Sequence, residues 1–247
     1  MGEITVVTSG KGGVGKSTIS AGVGAALVRR GRKVLLVDGD TGLRSLDLIL
    51  GVSPSLVFDI ADVMLGNCEP LDAVYECPSC PNLFMLPAPK DPNSTVSPEL
   101  MQRLIYAMSR LYDHVIMDCP AGLGCGFFSS IAPATNALVV ATADPVSLQD
   151  AAQASKSLRE KGMDRQRLII NRFNRQSFRK LRHYRDLDEV VDVTGIQLLG
   201  IVPEDFEVQA NYTRGIAITN KALAGKAMEN IAKRLEGEDA PLLKVLQ

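Results

Sequence analysis

Residues 10–17 read Gly10-Lys11-Gly12-Gly13-Val14-Gly15-Lys16-Ser17, a spacing that fits G-x-x-x-x-G-K-[ST]. Glycines let a backbone curl until successive N–H groups point at phosphate oxygens, and a helix opening near Lys16 adds the positive end of its dipole. In that pattern Lys16 reaches the β- and γ-phosphates and Ser17 offers its hydroxyl to Mg²⁺. The plain alternative is a chance match in a flexible glycine turn, and the strand and helix expected on either side weigh against it.

A magnesium site also needs carboxylates, and open α/β sheets gather ligands beyond the C-terminal ends of their strands. Asp38 and Asp40 follow the apolar run Val34 to Val37, and Asp118 follows His114 to Met117 at the head of DCPAG. One aspartate after a strand is often only a turn or cap residue. Three of them beside a phosphate loop point to function.

The elements that hold these residues are legible from periodicity. Ile4 to Thr8 is β-branched and apolar, Ser17 to Arg30 carries apolar residues at helical spacing, and Lys33 to Val37 is a second short apolar run. That is a β-α-β unit, which requires parallel strands. Further strands are expected at Leu83 to Leu86, His114 to Met117, Ala137 to Thr142, Leu168 to Ile170 and Leu198 to Val202. Helices are expected at Pro98 to Leu111, Val146 to Lys161, Leu187 to Thr194 and Lys221 to Leu235. Continuous apolar strands alternating with amphipathic helices predict a doubly wound, mostly parallel sheet with helices on both faces, an α/β fold in one domain. Residues 1–236 are read as that domain and 237–247 as a tail. The segment 87–98, with four prolines, is expected to be a loop.

Of the 247 residues, 46% are hydrophobic and 22% charged, with a formal net charge of −1. A sizeable core is available, and no general field for polyanions exists, so nucleic acid is not an expected partner. No run approaches the ~20 apolar residues of a membrane-spanning helix, and the first residues lead into a strand without a signal-peptide pattern, so a cytoplasmic chain is expected. Five cysteines at 68, 77, 80, 119 and 125 fit reduced thiols better than a disulfide framework. Cys77-Pro-Ser-Cys80 has the spacing of half a zinc site or a redox couple, but no second pair or nearby histidine completes one. His114 and His183 are given structural or surface roles.

With Lys11 inside KGGVGKS, the chain resembles the deviant Walker A ATPases, the P-loop family that contains MinD, ParA, the nitrogenase iron protein and the Mrp-type iron–sulfur carriers. VDGDTGLRSLDLILG (37–51), MDCPAGLG from Met117, INRF from Ile170 and LLGIVPED (198–205) are similar to MinD, although flagellar-number ATPases share several of them. The resemblance implies an Mg²⁺-dependent ATPase that forms a homodimer on binding ATP, with Lys11 crossing to the phosphates held by the other copy. It implies that the backbone from Gly12 to Thr18 and Lys16 hold the triphosphate, that Ser17, Asp38 and Asp118 hold Mg²⁺, that Asp40 orients the attacking water, and that Thr18 touches the α-phosphate. Asn171 and the Pro203 loop would approach the adenine.

For function, the resemblance implies placement of the division septum, with protein partners of the MinC and MinE type. The alternatives are a flagellar-number regulator, a ParA-like partitioning ATPase, or an ATP-dependent metabolic enzyme similar to dethiobiotin synthetase, which would need an added small-molecule pocket. An iron–sulfur carrier fits less well, because Cys77 and Cys80 precede Asp118 whereas that group's paired cysteines follow the second aspartate motif. Septum-placing relatives end in a basic amphipathic helix at the membrane surface. Here the tail GEDAPLLKVLQ has apolar Leu242, Leu243, Val245 and Leu246 but only Lys244 as a cation. It is a poor anchor as it stands, which leaves membrane-surface binding open beside simple packing of the tail on the domain.

Overall fold

The computed structural model describes residues 1–41, 44–91, 94–120, 122 and 125–243. The chain begins with β1 (Glu3–Thr8), α1 (Lys16–Arg29), β2 (Val34–Asp38), α2 (Ser45–Leu50), α3 (Ile60–Leu65), β3 (Tyr75–Glu76), β4 (Leu83–Leu86) and α4 (Pro98–Met108). It continues with β5 (His114–Asp118), α5 (Cys125–Ile131), β6 (Asn136–Ala141), α6 (Pro145–Glu160), β7 (Gln166–Phe173), α7 (Arg175–Leu181), α8 (Leu187–Thr194), β8 (Leu198–Pro203), α9 (Phe206–Thr213) and α10 (Leu223–Leu235). The eight strands form one sheet in the order β3-β4-β2-β5-β1-β6-β7-β8. Every pairing is parallel except that of β3 with β4. The doubly wound sheet expected from the sequence is therefore the fold.

Successive side chains on a strand point to opposite faces, and here both faces are covered. Val6, Leu35, Met117 and Val139 pack on one side against Ile60, Ile105, Phe127 and Leu148. Val7, Leu36, Ile116 and Val140 pack on the other against Ile19, Ala26, Met228 and Ile231. This is why the strands read as unbroken apolar runs rather than alternating ones. The α1–α10 layer also needs close approach: a Cβ on Gly200 of β8 would lie 2.4 Å from the Ile231 side chain of α10.

The seven expected strands all form, and the structure adds β3, a two-residue antiparallel strand on the edge. β7 runs to Phe173 rather than stopping at Ile170, through register shifts against β8. The short helices α2, α3, α5, α7 and α9 were not expected from periodicity, because six to eight residues hold only about two turns of pattern, although α8, of eight residues, was expected with its observed bounds.

The tail packs on the domain as far as it is described. Arg234 donates from Nε to the carbonyl of Ala240 and through Nη1 to that of Leu199, and Asn230 Nδ2 donates to Pro241 O at 2.9 Å. Ala240 is buried, and Leu242 and Leu243 rest on the cores. Lys244, Val245 and Leu246 lie outside the described residues, as do Gly42 and Leu43 of the 37–51 segment and Ala121, Leu123 and Gly124 of the Met117 segment.

Candidate functional site

The phosphate loop leaves the C-terminal end of β1 in the middle of the sheet and turns directly into α1. Gly13 and Gly15 hold φ of 77° and 93°, a left-handed backbone that glycine alone adopts without strain. Gly15 is the N-cap of α1, no side chain caps that helix, and no acid stands in its first turn. The first N–H groups of a 14-residue helix thus point, without a side-chain acceptor, toward the space under the loop, the arrangement that receives an anion. Gly10 is required for a different reason: a Cβ there would sit 2.1 Å from the carbonyl oxygen of Asp150 on α6. Lys16 is buried at the helix start.

Asp38 and Asp118 close β2 and β5, and these neighbouring strands pair them in register. Both are buried. Asp118 Oδ1 accepts from Ser20 Oγ at 3.0 Å, and one oxygen of Asp38 accepts from the Asp40 N–H at 2.9 Å. Among the described residues the other Asp38 oxygen, Oδ2, has no hydrogen-bond partner of good geometry, although the Leu46 N–H also comes near this carboxyl. Burial lifts the Asp38 carboxyl far above the carboxylate range, and the neighbouring Asp118 charge adds to the rise. Asp118 is also raised by burial, against hydrogen bonds from Ser17 and Ser20 and the charge of Lys16. Two carboxylates driven together out of water, one with an oxygen unsatisfied, fit a hard dication with oxygen ligands and are hard to explain without one. Ser17 stands within hydrogen-bond reach of Asp118, so the expected set Ser17, Asp38 and Asp118 is brought together.

Asp40 is half-buried just past β2. Burial raises its carboxyl, and the Lys16 ammonium works against the rise, so Asp40 faces the same space as Lys16.

These features lie within a longer likeness. Residues 5–218 match the model of the CobQ/CobB/MinD/ParA nucleotide binding domain. The chain belongs to the MinD/ParA family of P-loop ATPases. It is 37% identical over 247 residues to the septum site-determining protein MinD of Synechocystis sp., covering 98% of this chain and 92% of that one. Its fold is similar to MinD in the MinC:MinD cell division protein complex of Aquifex aeolicus, with TM-score 0.91, 33% identity and 98% of both chains covered. It is also similar to the Pyrococcus horikoshii septum site-determining protein MinD complexed with Mg-ADP, with TM-score 0.84, 28% identity and 96% of both chains.

In this MinD/ParA chain a cavity of about 620 Å³ opens beside Thr18, lined by Asn171, Arg172, Pro203, Asp205 and Tyr212. Its size suits a nucleoside. Asn171 is buried, and its amide Nδ2 donates to Val14 O at 2.8 Å, so the side chain braces the phosphate loop and its donor is engaged. Tyr212 Oη donates to Thr18 O at 3.0 Å, tying α9 to the first turn of α1. A larger cavity, about 760 Å³, lies at the opposite end of the sheet beside Phe128 and Lys161, away from this chemistry. Behind Asp38 the structure leaves about 220 Å³, bounded by Gly39, Ile60 and Ser130, smaller than the usual small-molecule pocket.

Lys11 does not fold back into its own loop. Its ammonium is half-exposed and lies 3.9 Å from Asp144 Oδ1, at the N-cap of α6, where Asp144 also accepts from Ser147 N and Thr142 Oγ1. Sequence reasoning missed Ser20, Asp144 and Tyr212. Ser20 lies one helical turn beyond Ser17, and Asp144 follows an apolar strand as Asp38 does, so both carried a signal; Tyr212 is placed only by tertiary packing. The cysteine pair is accounted for by burial: Cys77 Sγ donates to Leu50 O at 3.3 Å, and burial pushes Cys80 up to about 11. Among the described residues no group of three or more His, Cys, Asp or Glu is placed to hold a metal.

Proposed function

We propose that the chain is an ATP-driven dimerising switch of the MinD type that takes part in placing the division septum. The supporting observation is the pair Asp38 and Asp118 beneath an uncapped α1 N-terminus, with Lys11 pointing out of the loop rather than into it.

In this reading the N–H groups from Gly12 to Thr18 and the buried Lys16 hold the triphosphate, and Thr18 adjoins the α-phosphate. Ser17, Asp38 and Asp118 hold Mg²⁺, which when bound neutralises charge on the β- and γ-oxygens. Asp40 positions a water for in-line attack. Phosphoryl transfer asks a protein mainly for position and charge neutralisation, and these residues supply both. The base lies in the cavity between Asn171 and Pro203.

Lys11 completes the other copy's site. Its contact with Asp144 is an exposed ion pair worth about 0–1 kcal/mol, so a γ-phosphate from a second copy displaces it readily. Two copies then clasp two ATP molecules, and loss of the γ-phosphate removes the contacts that hold them together. A MinC-like protein is the expected partner, by likeness to the Aquifex complex. Among the described residues no helix is long and apolar enough to cross a membrane, and a place at the inner membrane surface rests on the dimer's doubled avidity rather than on one tail.

Size-exclusion chromatography of Asp40→Ala with Mg·ATP tests the reading. A long-lived dimer with ATP and a monomer with ADP is expected; a monomer with both refutes it.

A further inference from the structure

Charge is divided along this chain although its sum is close to zero. Residues 45–89 hold six acids and no lysine or arginine, whereas residues 165–185 hold eight lysines and arginines and no acid. The fold sends the two runs to opposite ends of the sheet. The acidic run includes α3, β3 and β4 at one edge, and the basic run surrounds β7 and α7 near the other. From β4 to β7 is five strand spacings, about 24 Å.

The parts of the two runs that bear on a pairing, α3 with residues 69–72 in one and α7 in the other, lie on the same side of the molecule as the phosphate loop, the C-terminal ends of the parallel strands, whereas Glu76 and the arginines that open β7 lie toward the other side. α3 is tied there by Ile60 N donating to the carbonyl of Pro87, the residue after β4. α7 leaves the C-terminal end of β7, and Leu181 and Phe178 border Asp144, the residue that meets Lys11. At the acidic corner Glu69 and Asp72 are exposed around Leu65 and Leu71, themselves 76% and 56% exposed. At the basic corner Arg179, Lys180 and Arg182 are exposed around Leu181, 62% exposed. None of these charged groups makes an ion pair among the described residues. The field at the acidic corner is felt locally: after burial, the nearby charges of Asp62, Asp72, Asp59 and Glu69 push the Cys68 thiol up.

We infer that the acidic corner around Glu69 and Asp72 docks on the basic corner around Arg179 and Lys180 of a second copy of this chain. A two-fold axis placed between the central strands β5 and β1, running across the layers, exchanges the two ends of the sheet. Acidic then meets basic twice, once at each end of a face-to-face pair, while Lys11 crosses at the middle. Such self-complementarity is what a two-fold interface requires, and opposed charge at its rim sets register and speeds encounter. The inference rests on the ATP-clasping dimer proposed above and adds the surfaces that align it. Its salt dependence follows, since the charges involved are exposed.

The test is sedimentation velocity with Mg·ATP at low salt, on three samples in an Asp40→Ala background: Glu69→Lys/Asp72→Lys, Arg179→Glu/Lys180→Glu, and an equal mixture of the two. Each variant alone is expected to self-associate about tenfold or more weakly than the parent. The mixture, in which every corner again meets its opposite, is expected to recover the parent's dimer. Circular dichroism checks folding, and Glu69→Gln with Arg179→Gln replaces any reversal that does not fold, with weakening expected. If the parent stays monomeric with ATP, the dimer reading itself fails. If the parent dimerises and neither reversal weakens it, or the mixture recovers nothing, the corner pairing alone is overturned. It is equally overturned if Arg179→Glu/Lys180→Glu dimerises like the parent but loses binding to anionic vesicles or to duplex DNA.

Discussion

Lys11 and Lys16 stand five residues apart in one loop and face different ways. Lys16 is buried against the carboxylates, whereas Lys11 is out in solvent within reach of Asp144. Lys11→Ala is therefore expected to leave folding and nucleotide binding intact while abolishing ATP-dependent dimerisation and reducing stimulated hydrolysis by about 10³-fold or more, the scale of a lost arginine finger. Thermal melts and a phosphate-release assay separate the two effects. Asp38 presents the opposite case, a group that in its proposed role costs stability until its ligand arrives. Its unsatisfied buried oxygen carries a penalty of about 1–3 kcal/mol, so Asp38→Asn is expected to raise the melting temperature of the metal-free protein by several degrees. The same variant should lose most of the stabilisation that Mg·ATP gives the parent; an unchanged Mg·ATP shift would remove Asp38 from the metal site. These residues were legible in the sequence because each chemistry sits at fixed offsets: glycines at loop spacing, aspartates one step past an apolar run. Tyr212 was not, because its partner Thr18 lies 194 residues away, and Asp144, although it too follows an apolar run, could not be tied by spacing to Lys11, 133 residues away.

At the scale of elements, the sheet was legible because strands buried on both faces are continuous apolar runs, and long helices repeat their pattern several times. Three of the missed short helices, α3, α7 and α9, carry a local signature at their starts. Asp59 and Asp62 form a capping box around the start of α3, and Asn174 and Asp205 cap α7 and α9. Capping residues, rather than periodicity, mark elements of two turns or less. The seam between β8 and α10 gives a testable case of packing. Gly200→Ala would drive a methyl into Ile231, an overpacking cost of about 1–3 kcal/mol, and the melting temperature should fall by several degrees. Ile231→Val in the same chain should recover part of the loss; a double variant no better than Gly200→Ala would place the strain elsewhere.

The whole molecule joins a nucleotide end, where β1, β2 and β5 deliver their loops, to an opposite end closed by charge. There Glu236 accepts from Arg30 and Arg32, and His114 lies 3.6 Å from Glu3 and 4.0 Å from Glu236. Burial and Arg32 hold the His114 imidazole below its ordinary value, against the acids Glu3, Glu236 and Asp113. A group depressed in the folded state contributes stability above its unfolded value, near 6.5, and loses it as pH falls through the folded value. The melting temperature is thus expected to drop as pH falls below about 6.5, and His114→Gln should flatten that drop; an identical profile would assign the acid lability to other groups. What the sequence could not show is how the two ends relate, since residue spacing says nothing of which surfaces face a second copy. ATP-dependent dimerisation depends on Lys11 crossing between copies, and sedimentation velocity with Mg·ATP reads that most directly. Asp40→Ala should sediment as a dimer and Lys11→Ala/Asp40→Ala as a monomer under the same conditions. Equal dimerisation of both, or of neither, would contradict it.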